Sequence, residues 1–240
     1  MMKNSSSIMI GFQSPALAEG LRCPILWDTY KCPHAVFFGA TGSGKTYLTK
    51  LTVGRVANHL AMESTCICDF KGDDDFSFLE GKQGFFRYEE CSAGLDYAID
   101  LLKRRQQGQD TSRSFFLLVF DEWASYLNFL DKKAAEAAKK KLSYLLMLGR
   151  SFNIHVLISQ QRVDASYFNA ARDNFSLIVG MGRLSKEAVD MMFSEYKDVV
   201  KRNQPCGYGS LIHGNDFHEI IVPQVNDIKK LHAAIWEAVI

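Results

Sequence analysis

Short apolar runs and helix-spaced apolar stripes alternate along this chain. Ala35-Val36-Phe37-Phe38 and Phe115-Phe116-Leu117-Leu118-Val119-Phe120 have the length of buried strands. Val53, Val56, Ala57 and Leu60 repeat at helical spacing, as do Leu95, Ala98, Ile99 and Leu102, and Leu231, Ala234, Ile235 and Ala238. The pattern predicts strands near 35–39, 65–70, 84–89, 114–121, 154–160, 176–181, 208–213 and 217–222. It predicts helices over 45–61, 93–106, about 132–149, 185–193 and 226–239. Alternation of this kind implies an α/β domain with a mostly parallel sheet, whose ligands collect beyond the carboxyl ends of the strands. No internal repeat or low-complexity tract stands out.

Between the first predicted strand and helix lies Gly39-Ala40-Thr41-Gly42-Ser43-Gly44-Lys45-Thr46, the phosphate-binding loop pattern in its proper strand-loop-helix context. The glycines let successive backbone N–H groups turn inward as an anion nest, and the helix that follows presents the positive end of its dipole. Lys45 would neutralise the β- and γ-phosphates of a nucleoside triphosphate, ATP, and the Thr46 hydroxyl would ligate Mg²⁺. A chance glycine turn is the alternative, and the context weighs against it. The apolar run 115–120 leads directly into Asp121-Glu122. There Asp121 could hold the Mg²⁺ shell and Glu122 could orient and deprotonate an attacking water. Adjacent acids favour hydrolysis over transfer to a bound acceptor. A strand simply ending in a polar turn would look the same without the phosphate loop.

Composition narrows the class without naming the partner. With 240 residues, 47% of them hydrophobic, and a net charge of +1, the chain reads as one ordinary soluble domain. It has no run of 18 or more apolar residues, and Met1 to Ser7 lacks the apolar centre of a signal peptide, so a cytoplasmic protein is expected. Near-zero charge gives no global signature of a nucleic-acid binder, which leaves that role to local patches. The six cysteines are scattered. Cys66-Ile67-Cys68 lies in a strand-like run whose side chains alternate between faces, which argues against a Cys-x-x-Cys knuckle and for reduced, buried thiols.

Six local motifs, in order, resemble the FtsK/SpoIIIE DNA translocases within the FtsK and HerA superfamily of DNA-pumping ATPases. They are Pro33-His34 ahead of the phosphate loop, the loop itself, Asp69-Phe70-Lys71-Gly72, Asp121-Glu122-Trp123-Ala124, Gly149-Arg150-Ser151-Phe152-Asn153-Ile154-His155, and Gln161-Arg162. Leu102-Lys103-Arg104-Arg105 looks like the basic helix end that precedes the family's acidic strand. Phe70 stands where the family has proline, Asn153 where it has glycine, and Val163 where it has proline after Gln-Arg.

The resemblance covers nearly the whole chain. It implies a RecA-like P-loop NTPase fold, with a mostly parallel central sheet flanked by helices on both faces. Residues 31–240 would be the motor domain and 1–30 an N-terminal extension packing on it. The resemblance also implies a sensor role for Gln161 at the γ-phosphate or the attacking water, and a finger role for Arg150 at the nucleotide of a neighbouring subunit, so that hydrolysis would depend on a homo-oligomeric ring, a hexamer. Arg150 could instead relieve a helix dipole, and Gln161 could be a surface strand terminus. The implied partner is double-stranded DNA, bound without regard to sequence. Lys132, Lys133, Lys139, Lys140 and Lys141, or the loop from Arg162 to Arg172, could contact its phosphates, though such lysines also suit the solvated face of a helix. Asp73-Asp74-Asp75 is expected to be a solvated turn, and His34 and His155 to be packed, hydrogen-bonded side chains.

Full-length cell-division translocases carry a membrane-spanning region and a winged-helix module, and this chain is expected to be the motor core by itself. That fits plasmid, conjugative-element or phage DNA transfer, with an element-encoded loading or membrane partner, and it equally fits a truncation or fragment. The other class of function open at this point is a nucleotide-dependent docking or DNA-packaging component that needs a partner and does not pump alone.

Overall fold

The computed structural model describes residues 7–240. In chain order the elements are β1 (Ser7–Gln13), α1 (Ser14–Ala18), β2 (Pro24–Asp28), β3 (His34–Gly39), α2 (Lys45–His59), β4 (Thr65–Asp69), β5 (Phe85–Arg87), α3 (Cys91–Gln106) and β6 (Phe116–Asp121). They continue with α4 (Trp123–Phe129), α5 (Lys132–Leu148), β7 (Ile154–Gln160), β8 (Leu177–Met181), α6 (Lys186–Met192), β9 (Tyr208–His213), β10 (Asp216–Ile221) and α7 (Ile228–Ala238). The strands form a ten-stranded sheet in the order β2-β1-β10-β9-β8-β3-β7-β6-β4-β5. From β8 to β5 every neighbouring pair is parallel. From β8 through β9, β10 and β1 to β2 every pair is antiparallel.

Period-two alternation distributes the sheet's side chains between two cores. Val36, Phe38, Leu118, Phe120, Val156 and Ile158 pack with α3, α4, α5 and α6. Ala35, Phe37, Leu117, Val119 and Leu157 pack with α2 and α7. Strands buried on both faces are apolar throughout, which is why β3 and β6 read as continuous runs. Helix starts are fixed by side-chain caps: Asp131 accepts from Ala134 N–H, Ser185 from Ala188 N–H and Asp227 from Lys230 N–H. The mostly parallel sheet with helices on both faces is the architecture expected from the sequence.

Boundaries moved by a few residues, and whole elements were added. Helix 45–61 stops at His59, and the strand expected over 84–89 is only Phe85–Arg87, ended by Tyr88 at φ 50°. β1, α1, β2 and α4 were not anticipated. β1 pairs with β10 and β2, and Ile8, Ile10, Ile25 and Trp27 enter the same core as α2. Residues 1–6, which include most of the stretch judged to lack a signal peptide, lie outside the described residues. Among the described residues no helix is long and apolar enough to cross a membrane.

All six cysteines are free. Cys66 and Cys68 face the same core, where burial pushes the Cys66 thiol up to about 12 and raises that of Cys68. Cys206, exposed, and Cys23, half-buried, depart from the expectation of buried thiols.

Candidate active site

The phosphate loop joins the carboxyl end of central strand β3 to α2, a 15-residue helix. Gly44 caps that helix at φ 94°, and a Cβ there would come within 3.3 Å of the Gly207 nitrogen. Gly207 N–H donates to the Ser43 carbonyl at 3.0 Å, so the β9 end braces the loop. Only glycine meets both demands cheaply. Ala40 through Tyr47 line a cavity of about 310 Å³ together with Lys71, Asp75, Glu122, Gln161 and Cys206.

Behind this cavity the sheet concentrates charge. Register sets Asp121 of β6 opposite Ser159 of β7, and Lys45 reaches both from the first turn of α2. Its ammonium, 6% exposed, donates to Glu122 Oε1 at 3.1 Å and to Ser159 Oγ at 3.3 Å, and lies 3.7 Å from Asp121 Oδ1. Burial raises the Asp121 pKa, while Lys45 and a hydrogen bond from Ser159 pull it back. Glu122 sits at the strand-to-helix corner in a left-handed conformation, φ 60°. Its N–H donates to Ser159 O at 2.7 Å, and Ser125 Oγ donates to Glu122 Oε2 at 3.4 Å. Thr41 Oγ1 donates to Gln161 Oε1 at 3.2 Å across the cavity mouth. Gln161 is exposed and one residue beyond the end of β7, the strand beside the acidic one.

Thr46 lines the cavity, and Asp121 Oδ1 is buried with no hydrogen-bond partner. This pair suits Mg²⁺, which takes most of its oxygens from phosphates and water and asks only one or two from protein. No cluster of three or more His, Cys, Asp or Glu that could hold a metal by itself exists among the described residues.

Lys45, Thr46, Asp121, Glu122 and Gln161 therefore converge with Gly39 to Gly44, and Arg150 does not join them. It lies in the turn Gly149–Phe152 that precedes β7, with its guanidinium 5.3 Å from the Tyr30 ring centroid. The strand from Ile154 to Ser159 separates it from Lys45 by roughly 17 Å at about 3.3 Å per residue. It is thus at the amino-terminal end of the central strands, opposite the carboxyl end that carries its own phosphate loop.

In the lysine group of α5, Lys139 pairs with Glu136 and Lys141 with Asp96. The acidic run departs from a simple solvated turn, since Asp73 pairs with Lys71 and Asp75 with Lys50. His34 and His155 are packed as expected. His34 Nδ1 accepts from Val156 N–H at 3.1 Å, and His155 Nδ1 donates to Pro33 O at 2.9 Å while its Nε2 lies 2.9 Å from the Asn153 side-chain amide. Burial lowers their pKa values to about 3 and about 4.

Ser159, Tyr47, Lys71 and Cys206 were missed as site residues. Ser159 left a signal, a lone hydroxyl following the apolar run Val156-Leu157-Ile158; Cys206 left none, because its loop meets the phosphate loop only through the sheet.

No family model matches the chain. Over 234 residues it is 27% identical to the Ftsk domain-containing protein YdcQ of Bacillus subtilis (strain 168), covering 88% of this chain and 49% of that protein. The chain thus spans about half the length of this curated relative. The pCW3 conjugation coupling protein TcpA, solved as a monomer with ATPgS, superposes with a TM-score of 0.77 at 19% identity, over 97% of this chain and 70% of that one. The cytoplasmic domain of the Thermomonospora curvata type VII secretion ATPase EccC gives 0.71 at 20% identity, over 98% and 31%. At those identities the structures speak for the fold, and the sequence likeness agrees with the motifs. In sequence the chain is similar to an FtsK domain-containing protein, and in fold to P-loop ATPases of the TcpA and EccC kind.

Proposed function

We propose that the chain is an ATP-hydrolysing motor that acts as a homo-oligomeric ring, a hexamer, and moves double-stranded DNA without regard to sequence, in plasmid, conjugative-element or phage DNA transfer. The observation that carries this reading is the buried Lys45-Glu122-Ser159-Asp121 cluster at the floor of a phosphate-sized cavity. Triphosphate settling into the loop draws the Lys45 ammonium from Glu122 toward the β- and γ-oxygens. Glu122 is then free to accept a proton from the attacking water, with Ser125 holding its second oxygen. Gln161, released from Thr41, orients that water against the γ-phosphoryl. Thr46 and Asp121 would hold Mg²⁺, which would there neutralise phosphate charge.

Ring assembly enters through Arg150. At the amino-terminal end of the strands it lies away from its own site, and the site of a neighbouring copy is the one it would serve. An arginine supplied in trans is worth orders of magnitude in rate. DNA phosphates would meet Lys132, Lys133 and Lys140 of α5, which form no ion pair among the described residues, and the arginines following Gln161, contacts that carry no base information.

The test is ATP turnover across protein concentration, with and without long double-stranded DNA, alongside mass in solution. Turnover rising with both, lost in Lys45→Ala and Glu122→Gln, is the expected result. Arg150→Ala should bind nucleotide yet fail to turn it over. The Lys45-Glu122 ion pair also describes a resting site, and it favours a second reading: a nucleotide-dependent docking component, recruited by a larger machine, that pumps nothing alone. Nucleotide binding with negligible, DNA-indifferent turnover at every concentration would select that reading.

A further inference from the structure

A second lysine, Lys71, lines the phosphate cavity from a turn that several side chains hold in place. Lys71 lies two residues beyond β4 and lines the cavity with Lys45, Thr46, Glu122 and Gln161. Its side chain is 45% exposed and rests on Asp73, whose carboxylate raises the Lys71 pKa and keeps it charged.

The backbone on either side is pinned. Gly72 N–H donates to Asp69 Oδ1 at 2.9 Å, Tyr88 OH donates to Gly72 O at 3.0 Å, and Arg87 donates to the carbonyls of Gly72 and Asp73. Arg87 is itself held 3.7 Å from the buried Asp69. Gly72 has φ 66°, and a Cβ there would fall 2.0 Å from the Tyr88 ring, so the ring lies flush against the turn. Tyr88 adopts φ 50° beside it, a left-handed conformation that is unfavourable for a bulky residue. On the other side Phe70 packs on Tyr126 and Phe129 of α4, the helix that Glu122 begins. Exposed turns are ordinarily left loose; strain and a half-buried ion pair used to stiffen this one point to a positional demand on Lys71.

The sheet order says which phosphate is concerned. β4 is the next strand beyond β6, and Asp69 lies in register with Asp121. Lys71 thus approaches the cavity from the side of Glu122, and a phosphoryl group under attack by water activated at Glu122 is the one nearest to it. We propose that Lys71 is a second phosphate-contacting cation, which leaves Asp73 to meet the terminal phosphoryl of a bound nucleoside triphosphate and so distinguishes triphosphate from diphosphate. This rests on the nucleotide-site reading above.

Binding of Mg²⁺ with a non-hydrolysable ATP analogue, and separately with ADP, measured by titration calorimetry on the full chain, tests it. Lys71→Ala should weaken the analogue roughly tenfold or more, the size of one charge-assisted hydrogen bond, and leave ADP unchanged. Lys71→Arg should restore much of the preference. Gly72→Ala, which drives a methyl into the Tyr88 ring, should reproduce the selective loss while Lys71 itself is intact. An unchanged analogue-to-ADP ratio in Lys71→Ala, or an equal loss for both nucleotides, would overturn the assignment while leaving the nucleotide site standing. If the unaltered protein binds neither nucleotide, the site reading fails and this inference goes with it.

Discussion

Cys206 and His155 are single side chains whose surroundings dictate what they will do in solution. Cys206 is exposed and lines the phosphate cavity, whereas Cys32, Cys66, Cys68 and Cys91 are buried. A maleimide should therefore label Cys206 first, and saturating Mg²⁺-nucleotide should slow that labelling; mass spectrometry of the modified peptide reads the outcome, and undiminished labelling would place the nucleotide elsewhere. His155 is neutral because burial pulls its pKa from 6.5 down to about 4. Between those values the unfolded chain binds a proton that the folded chain refuses, so this histidine's contribution to stability is intact above about pH 6.5 and is lost as pH falls toward 4, by up to about 1.4 kcal/mol per unit. His34 acts in the same sense, with a folded value of about 3. Asp69, raised to about 6 by burial, acts oppositely, since its folded form takes up a proton first as the pH drops. The wild-type curve is a sum, so the clean measurement is a difference. His155→Asn should lose less melting temperature than wild type between pH 7 and pH 5, and parallel curves would refute the assignment.

At the scale of elements, the unexpected pieces are the informative ones. β1 and β2 bring Ile8, Ile10 and Trp27 onto the core beside α2, the helix that carries Lys45. Trp27 is fully buried and its indole N–H donates to Cys32 O at 2.6 Å. Trp27→Ala should cost about 3–5 kcal/mol in urea unfolding, and a loss under 1 kcal/mol would mean that these strands are peripheral to stability. The alternation Ile8, Ile10 was visible in the sequence. What was not visible was its partner, because β10 lies at the other end of the chain and antiparallel pairing across such a distance leaves no local mark. α4 escaped for a different reason: Trp123, Ala124, Tyr126 and Leu127 make only two turns of apolar face, too short for periodicity to register. The strands buried on both faces and the long striped helices were legible because burial there dictates composition at every position. The same distinction runs through the site. Loop glycines, Lys45 and Asp121-Glu122 are contiguous in sequence and were readable, whereas Ser159, Lys71 and Cys206 are brought to the cavity by sheet order.

For the whole molecule, the separation of Arg150 from Lys45 turns an assignment into a test of assembly. If each working site takes Lys45 and Glu122 from one copy and Arg150 from the next, Glu122→Gln rings and Arg150→Ala rings are each inactive for different reasons. Mixing the two variants before assembly creates interfaces of four kinds. In one of the four, an Arg150→Ala subunit with its glutamate intact faces a Glu122→Gln subunit with its arginine intact. Equal mixing should then restore about a quarter of wild-type turnover if the sites fire independently, and less if they must fire in sequence around the ring. Two inactive proteins that stay inactive when co-assembled, with mass measurements showing mixed rings, would return Arg150 to a local role at the end of α5. Recovery of turnover requires the arginine and the glutamate to come from different chains, an outcome that a site complete within one chain cannot produce.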